Sequence, residues 1–214
     1  MTTIPRSGAD ILALAPVMPV VVVTDADTAV PLARALVEGG VPAIEVTLRT
    51  PAALGAIEQI TAEVSGAVVG AGTVVTTEQA DAAAKAGARF LVSPGCTPDL
   101  VSAMAETGLP FLPGTGTASE VMALLERGLT EMKFFPAEAA GGAGFLKSLA
   151  GPLPQARFCP TGGITAESAS SYLALPNVGC VGGSWLTPAS LVENGRWGDI
   201  TDLARRAAAL RRVA

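Results

Sequence analysis

Along the chain, short apolar runs alternate with Ala-rich stretches whose apolar positions recur at helical spacing. The apolar runs predict strands over Val17–Val23, Ala43–Leu48, Ala67–Thr73, Arg89–Ser93, Phe111–Pro113, Glu131–Phe135, Arg157–Pro160 and Val178–Val181. The intervening pattern predicts helices over Thr28–Glu38, Ala52–Val64, Glu78–Ala86, Pro98–Glu106, Ser119–Arg127, Glu167–Leu173 and Thr201–Arg212. Gly8–Ala15 reads as one more helix, ahead of the first strand. Several helical stretches close on glycine, as at Gly39-Gly40, Gly87, Gly108 and Gly128, the usual C-terminal stop.

Strands that alternate strictly with helices pair in parallel, because each crossover needs a connecting helix. Eight such units close a (β/α)8 TIM barrel. The expectation is therefore an α/β protein: one barrel domain over residues 1–214, with an extra N-terminal helix. A doubly wound open sheet would need a Gly-rich turn after the first strand. That place holds Thr24-Asp25-Ala26-Asp27.

Composition narrows the chemistry. The chain is 50% hydrophobic and 15% charged, enough to bury a sizeable core and far from a disordered composition. A net charge of −5 supplies no basic field for nucleic acid or an anionic membrane surface. Any anionic ligand must be held by local donors. The absence of histidine removes Ser-His-Asp and Cys-His catalysis and every His-containing metal site. Cys96, Cys159 and Cys180 form no CxxC pair and read as free thiols suited to a reducing cytoplasm. The uncharged run Ile11–Val23 is shorter than the ~20 residues of a membrane span and is broken by Pro16 and Pro19. A soluble, cytoplasmic protein is expected.

In a barrel the active site lies at the C-terminal strand ends, so polar residues inside apolar strands are the candidates. In Ala43–Arg49, alternation places Glu45, Thr47 and Arg49 on one face and Ile44, Val46 and Leu48 on the other. The polar face should point inward, where a carboxylate is costly to bury unless paired or protonated. A structural Glu45–Arg49 ion pair is the alternative. Lys85 and Lys147 read as solvated, whereas Lys133 falls inside the apolar run Glu131–Phe135. Burial there disfavours the ammonium form and favours an amine nucleophile of the imine-forming kind. Its alternative is a buried ion pair with Glu45 or Glu131. Gly162-Gly163 and Gly182-Gly183-Ser184 follow the seventh and eighth strands, where barrels commonly hold phosphate through backbone N–H groups. Gly70-Ala71-Gly72-Thr73 and Ser93-Pro94-Gly95 read as turn chemistry at strand ends.

Taken together, Ile44–Thr50, Val69–Thr73, Lys133–Glu138, Arg157–Ile164 and Val181–Trp185 closely resemble the bacterial 2-keto-3-deoxy-6-phosphogluconate (KDPG) aldolases. The likeness runs from about Ile11 to the last helix. It implies a class I, Schiff-base aldolase of the Entner–Doudoroff pathway, usually a homotrimer, needing neither metal nor organic cofactor. The phosphorylated keto acid KDPG would be split into pyruvate and glyceraldehyde 3-phosphate, and 4-hydroxy-2-oxoglutarate into pyruvate and glyoxylate. By position, the resemblance implies that Lys133 forms the imine and Glu45 shuttles protons. Arg49 and Thr73 would attend the pyruvoyl end, and Pro94 and Phe135 would line the site. Thr161 would lie near the substrate hydroxyls, with Gly162, Gly163, Gly183 and Ser184 on the phosphate. Thr115-Gly116 departs from the family's pattern of an apolar residue then serine, and is expected to alter the mouth of the site. An aldolase for the galactose-series epimer, a phosphate-binding isomerase or epimerase, and a sugar-phosphate sensor would share the glycine loops. Only an aldolase makes Lys133 a covalent participant.

Overall fold

The structure, a computed structural model, describes residues 4–210. Its strands are β1 (Val17–Val21), β2 (Ala43–Thr47), β3 (Val68–Gly72), β4 (Leu91–Val92), β5 (Phe111–Leu112), β6 (Gly114–Thr115), β7 (Glu131–Phe134), β8 (Arg157–Pro160) and β9 (Val181–Gly183). The helices are α1 (Gly8–Ala13), α2 (Ala29–Glu38), α3 (Ala53–Glu63), α4 (Thr77–Lys85), α5 (Pro98–Glu106), α6 (Ala118–Leu125), α7 (Gly142–Leu149), α8 (Ala169–Leu173), α9 (Ala189–Glu193) and α10 (Trp197–Ala208). The strands form a six-stranded sheet, in the order β5-β4-β3-β2-β1-β9, and a three-stranded sheet, β6-β7-β8. Every strand pair is parallel, as helical crossovers require. Single bridges, Phe158 to Val178 and Thr161 to Gly182, run from the β8 segment toward β9.

Two expected strands differ in detail. The run Phe111–Pro113 divides at Pro113, with β5 on the larger sheet and β6 on the smaller. Proline cannot donate to a ladder, although its carbonyl accepts from Lys133 N at 3.0 Å. Val178 makes only its lone bridge, and the eighth expected strand instead begins at Val181 and takes in both glycines. Met18 and Pro19 of β1 pair with Gly182 and Gly183, so these glycines belong to the sheet and not to a turn after it. α9, only five residues long, was absent from the expected elements, and of α7, which carries glycines at 142 and 144, only the stretch holding Lys147 read as helical. α10 starts at Trp197, ahead of the expected Thr201. Arg211 and Arg212 of that expected helix lie outside the described residues.

Strand alternation sorts the buried side chains into two cores. Ile44, Val46, Ala71, Leu91 and Phe134 face the helices and share one large cluster with them. Met18, Val68, Phe90, Val92, Leu112, Cys159 and Cys180 form a second cluster on the opposite strand faces. Ile11 and Leu12 of α1 join that second cluster, so the extra helix contributes to the interior. Phe90 fits there because β3 has no side chain at Gly70, where a Cβ would fall 2.3 Å from the ring. Among the described residues, no helix is long and apolar enough to cross a membrane.

Phe90 is fully buried. Phe90→Ala should destabilise the fold by about 3–5 kcal/mol, the usual range for emptying a core aromatic site. Urea unfolding measures it, and a loss below about 1 kcal/mol would mean that the inner cluster does not pack around this ring.

Candidate active site

β2 and β7 bring Glu45 and Lys133 together across 88 residues of sequence, with Lys133 Nζ donating to Glu45 Oε1 at 3.1 Å. The two side chains are 4% and 1% exposed, which makes this a buried pair. Desolvating both charges costs most of what their attraction returns. The second carboxylate oxygen, Glu45 Oε2, is buried without any hydrogen-bond partner. An orphaned buried acceptor costs about 1–3 kcal/mol, more when charged. A pair of this kind adds little to stability, and buried polar groups kept at such a cost are expected at functional sites. The other pairings considered from sequence do not form: Arg49 Nε donates to Thr73 Oγ1 at 3.3 Å, and Glu131 Oε1 accepts from Thr130 Oγ1 at 3.0 Å.

The space for Glu45 comes from β3. Gly70 and Gly72 pair in register with Glu45 and Thr47. A Cβ at Gly72 would lie 2.2 Å from Glu45 Oε1. The Gly-Ala-Gly run lies within β3, as the expected strand Ala67–Thr73 had it, and is a packing device and not only turn chemistry at the strand end. Period-two spacing opposite a strand carboxylate was the available signal.

Phe135, half-buried, stands between the lysine and the glycine loop after β8. Its ring centroid is 5.4 Å from Lys133 Nζ, and the ring lies 3.3 Å from where a Cβ on Gly162 would be. Gly162 and Gly163 have φ of +105° and +80°, a left-handed backbone open to glycine. Thr161 is buried, and its hydroxyl occupies the space left by the missing side chain of Gly182. Pro94 packs through its backbone against Gly114, which pairs with Lys133. Ser93 Oγ accepts from Gly114 N at 3.1 Å and holds that junction together, a contact not anticipated from sequence. At the ends of β2 and β3, Arg49 and Thr73 meet through the bond already described. Thr73 has φ +58°, a left-handed conformation that is an outlier for a β-branched residue.

Three expected details change. Thr115 is buried and donates to the Lys133 carbonyl at 3.2 Å, pairing beside outward-facing Phe134, so its side chain does not shape a mouth. Gly116 N–H donates to Glu120 Oε2 at 2.8 Å as part of the cap of α6. That bond, helped by Thr117, holds Glu120 below the ordinary carboxylate range. Gly183 lies inside β9, and its missing side chain admits the Trp185 ring. Ser184 is exposed just beyond it and lines a small cavity of about 220 Å³ with Val22, Thr187 and Glu193. Among the described residues, no three His, Cys, Asp or Glu side chains gather as metal ligands.

The family described as KDPG and KHG aldolase matches residues 9–203. The KHG/KDPG aldolase of Escherichia coli (strain K12) is 51% identical over 201 residues, covering 94% of each chain. The KDPG aldolase of Legionella pneumophila, solved with pyruvate captured as a covalent carbinolamine, superposes with a TM-score of 0.93. It is 44% identical, covering 95% of this chain and 98% of that one. The enzyme of Zymomonas mobilis ZM4, solved with 3-phosphoglycerate, gives a TM-score of 0.91 at 50% identity, with 98% of each chain covered.

The left-handed Thr73 stores strain at the rim, about 1–3 kcal/mol for such outliers. Thr73→Gly removes it and adds about 0.5–1 kcal/mol of unfolded-state entropy cost. The net expectation is a protein about 1 kcal/mol more stable by urea unfolding. A less stable variant would show that the Thr73 side chain, through Arg49 or its own packing, holds the rim more strongly than its backbone strains it.

Proposed function

Because the chain belongs to the KDPG and KHG aldolase family, we propose that it is a class I aldolase built on the Lys133–Glu45 contact. It splits KDPG into pyruvate and glyceraldehyde 3-phosphate, the aldol cleavage of the Entner–Doudoroff pathway. It also splits 4-hydroxy-2-oxoglutarate into pyruvate and glyoxylate. The observation that carries this reading is a lysine buried in a strand with a carboxylate at 3.1 Å.

The chemistry follows from that pair. Transfer of one proton from Nζ to Glu45 leaves a neutral amine, the form able to attack a ketone. The amine adds to C2 of the keto acid to give a carbinolamine. Its hydroxyl takes the proton back from Glu45 and leaves as water, giving a protonated imine and restoring the carboxylate. A carboxylate at Glu45 then accepts the C4 hydroxyl proton as the C3–C4 bond breaks. The bonding electrons pass into the imine, giving an enamine and releasing the aldehyde. Glu45 returns the proton to C3, and water frees pyruvate and the lysine amine. One residue serves as base and acid in turn, and the burial of the pair strengthens each transfer.

The remaining roles follow position. Arg49 and Thr73 hold the pyruvoyl carboxylate, Pro94 and Phe135 line the site, and Thr161 meets the substrate hydroxyls. Gly162, Gly163, Gly183 and Ser184 hold the phosphate, the glycine loop by backbone N–H groups and Ser184 by its hydroxyl. We read the two sheets as one (β/α)8 barrel with an extra N-terminal helix, spanning residues 1–214 as a single domain. The Thr161–Gly182 bridge on one side, and the direct step from β5 to β6 across Pro113 on the other, support that closure. A cytoplasmic homotrimer acting without metal or cofactor completes the reading.

Incubation with pyruvate and borohydride should add one reduced pyruvoyl group, and peptide mapping should place it on Lys133. Glu45→Gln should still be trapped, but more slowly because the amine loses its proton acceptor, while turnover falls by about 10²–10⁴-fold, the usual contribution of an acid–base group. Labelling at Lys85 or Lys147, or none, would falsify the class I assignment.

Ser184→Ala tests the phosphate end separately. Hydrogen bonds to charged groups are worth about 1.5–3 kcal/mol, so kcat/KM for KDPG should fall by about 10–150-fold. Cleavage of 4-hydroxy-2-oxoglutarate, which carries no phosphate, should be largely spared. Equal losses on both substrates would place Ser184 outside a phosphate site.

A further inference from the structure

The proposed phosphate loop lies against a carboxylate, which an anion should find repellent. Glu138 follows β7, and its N–H donates to the Gly162 carbonyl at 3.0 Å. A Cβ on Gly163 would sit 2.8 Å from Glu138 Cβ and Cγ, so the apolar stem of Glu138 is what faces the loop. Its carboxyl group reaches past, toward Gly142 and the Tyr172 hydroxyl. Tyr172, on α8 beyond the same loop, donates to Glu138 Oε1 at 2.7 Å. The tyrosine is 1% exposed, whereas Glu138 is exposed, so the phenol is the fixed end of the contact.

We propose that Tyr172 is a positioning residue that keeps the Glu138 carboxylate turned away from the Gly162–Gly163 loop, so that the loop can accept a substrate phosphate. This rests on the aldolase reading and deepens it at the phosphate end. Two unit charges interact more strongly near a protein surface than in bulk water, so a freed carboxylate beside the loop would oppose phosphate binding. Holding it costs the site no charge, because the phenol stays protonated. Burial pushes the Tyr172 hydroxyl above its ordinary range, and the bond and charge of Glu138 push the same way. The bond also ties α8 to the segment after β7, which steadies both ends of the glycine loop.

The test is Tyr172→Phe, which keeps the ring in the core and deletes only the donor. KM for KDPG should rise about ten-fold or more, while KM for 4-hydroxy-2-oxoglutarate and pyruvate trapping at Lys133 stay near wild type. Adding Glu138→Gln to Tyr172→Phe should restore KM for KDPG, because the amide keeps the shape and removes the charge. A structural defect would not be rescued in this way. Should Tyr172→Phe fail to fold, Glu138→Asp carries the same prediction, since its shorter stem keeps the charge but loses the phenol. An unchanged KM for KDPG, equal losses on both substrates, or no rescue by the double variant would each overturn the proposal. Failure of the wild type to trap pyruvate or cleave either substrate would instead sink the aldolase reading beneath it.

Discussion

Among the described residues, one ion pair is buried from water, in an interior that is mostly apolar. Lys133 and Glu45 come from strands 88 residues apart and meet with side chains no more than 4% exposed. Burying them is unfavourable unless the geometry returns the lost hydration, and Glu45 Oε2 shows that the return is incomplete. The surrounding fold has to hold both groups against that cost. β2 and β3 pair over five residues, and two glycines in β3 leave the volume that Glu45 and Phe90 fill. On the other side β7 is pinned between β6 and β8. The inner apolar cluster, joined by Ile11 and Leu12 of α1, is a rigid floor that lets a costly pair persist.

This arrangement explains which parts of the fold could be read from the sequence. The strand and helix order was legible because each outward strand face is apolar and packs on helices, which leaves period-two and helical patterns in the chain. Glu45 and Lys133 stood out because a charge inside such a pattern breaks it. What stayed hidden depends on partners far away in sequence. Gly72 is needed because of Glu45, Gly182 because of Thr161, and Gly183 because of Trp185. Composition alone assigns such glycines to turns, and only the register shows them to be absences of a side chain. Similarly, the Pro113 break and the Thr115 bond to the Lys133 carbonyl exist only once β6 lies beside β7.

Left-handed backbone closely follows two of the strands. Thr73, the described non-glycine residue with positive φ, follows β3, and the left-handed Gly162 and Gly163 follow β8. The neighbouring helices show the opposite tendency. Thr76, Thr97 and Thr117 each cap a helix N-terminus, and Thr117 with Glu120 completes a reciprocal capping box.

A net charge of −5 repels a phosphorylated keto acid at long range, so attraction must be local and short-ranged. Arg49 can supply it at the carboxylate end. At the proposed phosphate end the acidic side chain of Glu138 packs its stem against the glycine loop. Backbone dipoles can bind an anion there only if nothing cancels them. The net sign of the site is therefore set as much by which charges are turned away as by which donors are turned in. A buried phenol is well suited to that task, because it donates one directed bond and adds no charge of its own.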